Sequence, residues 1–309
     1  MNKLKKVGLT ALATTLVASS AYAGEMSVSG SASLNYSGLS TSSNSNPWTM
    51  GDSVTFSGGG DLDNGMTVGV SYELDGGDFD DYKLTLGLGD GLGTVTFSGN
   101  SVNAGGVDMV KDIVPTAYTA VYENTNSTDN GVAAGIGGRN TLGMWGYKNT
   151  IGDLTVSLGY NQENDTAATD SDESSIGLQY AMDGITAVAG RFDDGDTAIH
   201  DTVGLKYTAG AITAGIQRTD INYDATGTND QEAMHLGVSF AVNENLSVST
   251  GRQKVEIDTA DEDEINTGVS ASYTMGSITV KGGFNEVESA GGSAGSDAEV
   301  TMLNLAFAF

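Results

Sequence analysis

The sequence predicts an all-β fold: a transmembrane, antiparallel, 16-stranded β-barrel. Three observations carry that prediction. Apolar and polar residues alternate with period two in segment after segment. The links between those segments run alternately long and short. No stretch after residue 23 is long and apolar enough to form a spanning helix, so any membrane crossing must use strands. Successive side chains of a strand leave opposite faces, so each segment has one apolar and one polar face. A soluble sheet turns its apolar face to a core. A membrane barrel turns it to lipid and lines a wet interior with the polar face.

The N-terminus reads as a secretory signal. Lys3, Lys5 and Lys6 precede the apolar run VGLTALATTLVAS, which ends in Ala21-Tyr22-Ala23. A basic head, a short apolar stretch and an A-x-A site predict cleavage after Ala23, leaving residues 24–309 as a single barrel domain. The next segment, EMSVSGSASLNY, alternates Met26, Val28, Gly30, Ala32, Leu34 and Tyr36 with four serines and Asn35. Clear alternation recurs from Met66 to Leu74, Tyr82 to Leu88, Leu154 to Tyr160 and Ile176 to Met182. It returns from Val203 to Tyr207, Met234 to Phe240 and Ile265 to Met275, and the chain closes on Leu303, Leu305, Phe307 and Phe309. Weaker segments lie around Val54, Val95, Leu142, Val188, Ile212, Val248 and Ile278, which makes sixteen strands.

The connections sort by length. The long set begins SGLSTSSNSNPWTMG and DGGDFD and includes about thirty residues from Ser101; the short set includes Asp63-Asn64-Gly65, GDGLG and Asp183-Gly184. Asn-Gly is a type I′ hairpin signal. Short turns at one end and longer loops at the other are a barrel's habit, and an even strand number returns both termini to the periplasmic end. An open sheet would leave two unpaired edges in hydrocarbon, so the last strand must pair with the first. Sixteen strands enclose an aqueous lumen.

Composition excludes other classes. The formal charge is −27, and the first 23 residues hold three of the 13 basic residues and none of the 40 acidic ones. Nucleic acid is therefore excluded as a natural partner. With no cysteine and only His200 and His235, thiol and zinc chemistry have little to build on. No serine stands in a context that marks a nucleophile. Two alternatives remain at this stage: a soluble or cell-surface adhesin, and an outer-membrane barrel hydrolase. The acidic stretches Asp75–Asp81, Asp170–Glu173 and Asp258–Glu264 predict cation enrichment at the mouth, with weak Ca2+ binding there as the sole cofactor to consider. Trp48, Trp145 and Tyr147 read as interface anchors, although the facing of the Trp145 strand stays open.

With its signal peptide, sixteen alternating strands, long third loop and ending LNLAFAF, the chain resembles the general diffusion porins of Gram-negative bacteria, in particular the acidic porins of alphaproteobacteria. That resemblance implies an outer-membrane homotrimer whose third loop folds inward and narrows a water-filled channel for ions and small hydrophilic solutes. It also implies that Leu303, Leu305, Phe307 and Phe309 form the tail read by the barrel-assembly machinery. Within the third loop, VDMVKDIV predicts one or two helical turns before Pro115. Val107, Val110 and Val114 would pack on the wall, with Asp108, Lys111, Asp112 and Glu123 as candidate constriction residues. Parity places Lys83, Arg191, Lys206 and Lys281 inward, and a bulge near Gly251 would turn Arg252 and Lys254 inward too. Lys206 and Lys281 lie close to turns and are not expected at mid-height. Arg139 and Arg218 are ambiguous.

Overall fold

The computed structural model describes residues 26–41, 46–100, 105–123, 143–162, 172–224 and 229–309. The expected signal peptide, Arg139 and the remainder of the third loop lie outside the described residues. Sixteen strands follow in chain order: β1 Ser27–Leu39, β2 Trp48–Asp61, β3 Thr67–Asp75, β4 Asp78–Gly87, β5 Thr94–Asn100, β6 Met144–Ile151, β7 Leu154–Asn161 and β8 Glu173–Met182. The second half comprises β9 Ile185–Asp193, β10 Ala198–Ala209, β11 Ile212–Tyr223, β12 Gln231–Ala241, β13 Leu246–Ile257, β14 Glu264–Met275, β15 Ile278–Glu288 and β16 Ala298–Ala308. Each pairs antiparallel with its sequence neighbours, and β1 pairs with β16, closing the barrel. No helix among the described residues is long and apolar enough to cross a membrane.

Closure is set by side-chain parity. Leu34 stands opposite Leu305 on the outer face, and Asn35 opposite Asn304 on the inner one. The chain end completes the seam, with the Gly30 and Phe309 amides exchanging hydrogen bonds at 2.8 and 3.0 Å. The expected inversion of faces is observed: Met26, Leu84 and Leu205 are 60, 49 and 48% exposed on the outside. Both Trp145 and Tyr147 point outward, while Met144 turns inward and is buried. Trp145 packs against Phe97, with ring centroids 4.9 Å apart.

One loop differs from expectation. DGGDFD is a two-residue turn at Gly76–Gly77, because Asp75 pairs with Asp78 and Leu74 with Phe79 beyond a register shift. Both glycines have positive φ, which lets so short a link close without strain. The wall is accordingly uneven. Strands β3 to β7 have seven to ten residues and β10 to β15 eleven or twelve, so one side of the barrel is low.

Candidate functional site: the loop-lined lumen

The third loop lies inside the barrel along the inner wall. It enters with a 3-10 helix of four residues, Gly106–Met109, about one turn. Val107 and Val110 are fully buried and Ile113 and Val114 nearly so; Val107, Val110 and Ile113 share a cluster with Met144, Val188 and Phe192 of the wall. The wall makes room for them with glycine. A Cβ at Gly190 would lie 2.7 Å from Val110, one at Gly204 2.6 Å from Ile113, and one at Gly237 2.6 Å from Val114. Gly215 seats Pro115 and Gly251 meets Val121. The loop thus runs in a track of missing side chains.

Polar side chains of the wall fasten its backbone. Ser157 of β7 accepts from the Gly106 amide at 2.7 Å, and Ser175 of β8 from that of Val107 at 3.2 Å. Gln217 of β11 accepts from the Ile113 amide and donates to the Val110 carbonyl, both at 3.2 Å. Ser249 and Ser270 take the amides of Ala117 and Tyr118 at 2.8 and 3.1 Å. Asn285 of β15 donates to the carbonyls of Ala120 and Glu123 at 2.8 and 3.2 Å. Buried backbone groups need such partners. None of these anchors stands out in the sequence, since each is an ordinary polar residue at inward parity.

Residues 105–123 run along β7 to β15, and opposite them stand the inner faces of β1 to β4. They carry Ser29, Ser31, Ser33 and Asn35, then Ser53 and Thr55, Ser71 and Glu73, and Asp81 and Lys83. On the loop side, Asp108 and Lys111 form an ion pair at 2.8 Å. Asp112 is exposed and accepts from the Tyr122 hydroxyl at 3.2 Å. Glu123 is also exposed. Burial pushes the Tyr118 phenol above its ordinary value, and the Lys281 ammonium stands 5.6 Å from that ring. Lys281 therefore reaches the loop rather than lying clear of it. His235 points inward but sits beneath the loop, edge-on to Tyr122 with centroids 5.6 Å apart.

Of the six cations expected to point inward, three, Arg191, Arg252 and Lys254, face the other way. Arg191 pairs across the sheet with outward Ile176 and with Asp201. Arg252 lies opposite outward Leu236, and Lys254 opposite Met234 on that same outer face, with no bulge at Gly251. The parity reading fails here for a physical reason. Under the loop the inner wall is dry, so Val188, Phe192 and Val255 point inward and leave the charges outside. Near the loop end of the strands these charges form an outer belt. Arg218 lies 2.8 Å from Asp220 and 2.9 Å from Glu232; Lys254 lies 2.6 Å from Glu256 and 2.8 Å from Asp263. Lys83 does face inward, as do Lys206 and Lys281. Lys148, not singled out in the sequence, joins them opposite inward Thr94 and Ser157.

The fold and lumen have counterparts. A porin of Rhodopseudomonas blastica, a triple mutant, superposes with a TM-score of 0.67 at 17% identity, covering 92% of this chain and 100% of its own. An anion-selective porin from Comamonas acidovorans gives 0.66 at 14% identity, with 93 and 100% covered. The outer-membrane protein OmpT of Vibrio cholerae, lacking its loop L8, gives 0.72 at 14% identity, with 93 and 99% covered. Comparison with curated proteins finds no match. The sequence profile of the Gram-negative porins matches residues 8–309, nearly the whole chain. A closed sixteen-stranded barrel, apolar outside and loop-lined within, that matches this profile over its length belongs to the Gram-negative porin family and resides in the outer membrane.

Proposed function

We propose that the chain forms a passive, water-filled channel for ions and small hydrophilic solutes, narrowed between residues 105–123 and the hydroxyl-rich faces of β1 to β4. The observation that carries this reading is the placement of residues 105–123, fastened inside the barrel to one half of the wall and facing the polar inner surface of the other half. Transport of this kind needs no catalytic group. Stepwise currents from purified protein in a planar bilayer test it, and a protein that inserts without conducting refutes it.

Two finer features belong to the same proposal. The assembly is a homotrimer, supported by the low side of the wall, whose outer face exposes Tyr72, Phe79 and Trp145. Current steps in groups of three are the expected record. The selectivity is weakly cationic at the mouth, where Asp258, Asp261, Glu262 and Asp263 crowd the β13–β14 loop. These acids act as a diffuse cation reservoir that salt screens over about 8 to 10 Å. A reversal potential under a salt gradient, repeated after their neutralisation to amides, reads that contribution directly. The same barrel serves anions in the Comamonas protein, so the sign of selectivity rests on side chains and not on the fold.

A further inference from the structure

Below the constriction, the inner wall of β4, β5 and β6 holds a recess of about 610 Å3, whose lining includes none of residues 105–123. Lys83 and Lys148 line it, together with the inward threonines Thr85, Thr94, Thr96 and Thr150. Its floor is the turn joining β4 to β5. That turn is held by hydrogen bonds from Leu88 to Gly93 and from Leu92 to Gly89, both 2.9 Å, and by the Tyr147 hydroxyl on the Leu92 carbonyl at 2.8 Å. Among the described residues, the only acidic side chain lining the recess is Asp90, on the turn.

Neither ammonium has an ion-pair partner among the described residues. Lys111, Arg191, Arg218 and Lys254 are paired with carboxylates, whereas Lys206, Arg252 and Lys281, like Lys83 and Lys148, have no ion pair among the described residues; Lys83 and Lys148 differ in sharing one recess. Two lysines without carboxylate partners thus face one concave, hydroxyl-lined recess, where their charges are open to a negative solute. Lys206 and Lys281 add to the local potential, since each of the four inward lysines lies three or four residues from the turn end of its strand. Such a girdle concentrates anions in a polar bore, and threonine hydroxyls supply donors that orient an oxyanion between the two charges.

We propose that this recess is a binding subsite for small oxyanions, the phosphate or carboxylate groups of solutes passing between the constriction and the periplasm. It gives the lower half of the channel a preference opposite in sign to that of the acidic mouth. The inference rests on the channel reading, and its test separates the two.

The test adds pyrophosphate to the turn side of a bilayer holding the wild-type channel, and in parallel titrates it calorimetrically into the detergent-solubilised protein. A saturable block of the potassium chloride current is expected. The K83Q/K148Q double variant should weaken that block and the measured binding about tenfold, the loss of charge-assisted contacts to the anion. K83R/K148R keeps both charges and should retain binding. K206Q/K281Q leaves the recess lining intact, changes the surrounding potential and removes the Lys281 contact with Tyr118, and should cost about threefold or less. Each variant is first checked for heat-shifted gel mobility, so that an unfolded barrel is not scored. Unchanged block in K83Q/K148Q, or an equal loss in K206Q/K281Q, overturns the subsite. Citrate tested in the same way distinguishes carboxylate from phosphate use. A protein that conducts but binds neither anion overturns the subsite and leaves the channel; one that binds without conducting does the reverse.

Discussion

Asp194, at the tip of the turn between β9 and β10, shows how one carboxylate holds a loop. Burial pushes its pKa up, but the Thr197 hydroxyl and the amides of Ala198, Thr197 and Asp196 all donate to it and bring it below the ordinary 3.8. A depressed carboxylate contributes stability that is present above its unfolded pKa and lost as pH falls through the folded one. Asp194→Asn should therefore cost about 2 kcal/mol near neutral pH and flatten the acid limb of an unfolding curve below about pH 4. Urea titrations across that range check it; a wild-type-like acid limb in the variant would refute the assignment. Asp108 makes a second residue-level case. Its ion pair with Lys111 leaves that edge of the loop nearly neutral, so Asp108→Asn bares an ammonium. The reversal potential under a potassium chloride gradient should move toward anions, and a shift toward cations would contradict the pairing.

The third loop and its glycine track decide the bore. Seating depends on the absence of side chains at Gly190, Gly204 and Gly237 as much as on the buried valines. Gly237→Val inserts a branched side chain where even a Cβ would lie 2.6 Å from Val114. The barrel hydrogen bonds are untouched, so the protein should still fold while the loop lifts from its seat. Single-channel conductance should change by more than its ordinary scatter, and the loop should become cleavable by added protease. An unaltered conductance and a resistant loop would mean that the seat tolerates bulk. This element also marks where parity reasoning failed. Alternation predicts which way a side chain points only when the environment of each face is known. Beneath the loop, the inner face of β9 and β13 is a packed interface, so Val188 and Val255 point inward and Arg191, Arg252 and Lys254 point out.

At the scale of the whole molecule, closure joins the chain's two ends. Phe309 exchanges backbone hydrogen bonds with Gly30, and its ring lies over that glycine, where a Cβ would come 2.6 Å from the ring edge. The tail therefore closes the seam as well as carrying the expected insertion signal. Deleting Phe309 removes two ladder bonds and the ring together, and should lower the yield of heat-modifiable barrel in refolding into detergent or lipid. A Phe309→Tyr variant, which keeps both, should refold like wild type. Equal yields for the deletion and wild type would refute a role in closure.

The strand count, the outward apolar face, the short turns and the aromatic terminus were legible in the sequence, because period two and turn chemistry are local properties; the length of the DGGDFD link was not, since a register shift within β3 and β4 set it. The valines that seat the third loop were legible for the same reason. What only the tertiary structure decided was which inner wall is wet. The path of the loop from β7 to β15 comes from contacts between residues as far apart as Asn285 and Ala120. That path leaves Lys83 and Lys148 exposed in the lumen, while bonding and burial at the rim hold the arginines of β9 and β11 outside. Charge type is written along the chain, but the side of the wall on which a charge acts is fixed by what packs against it.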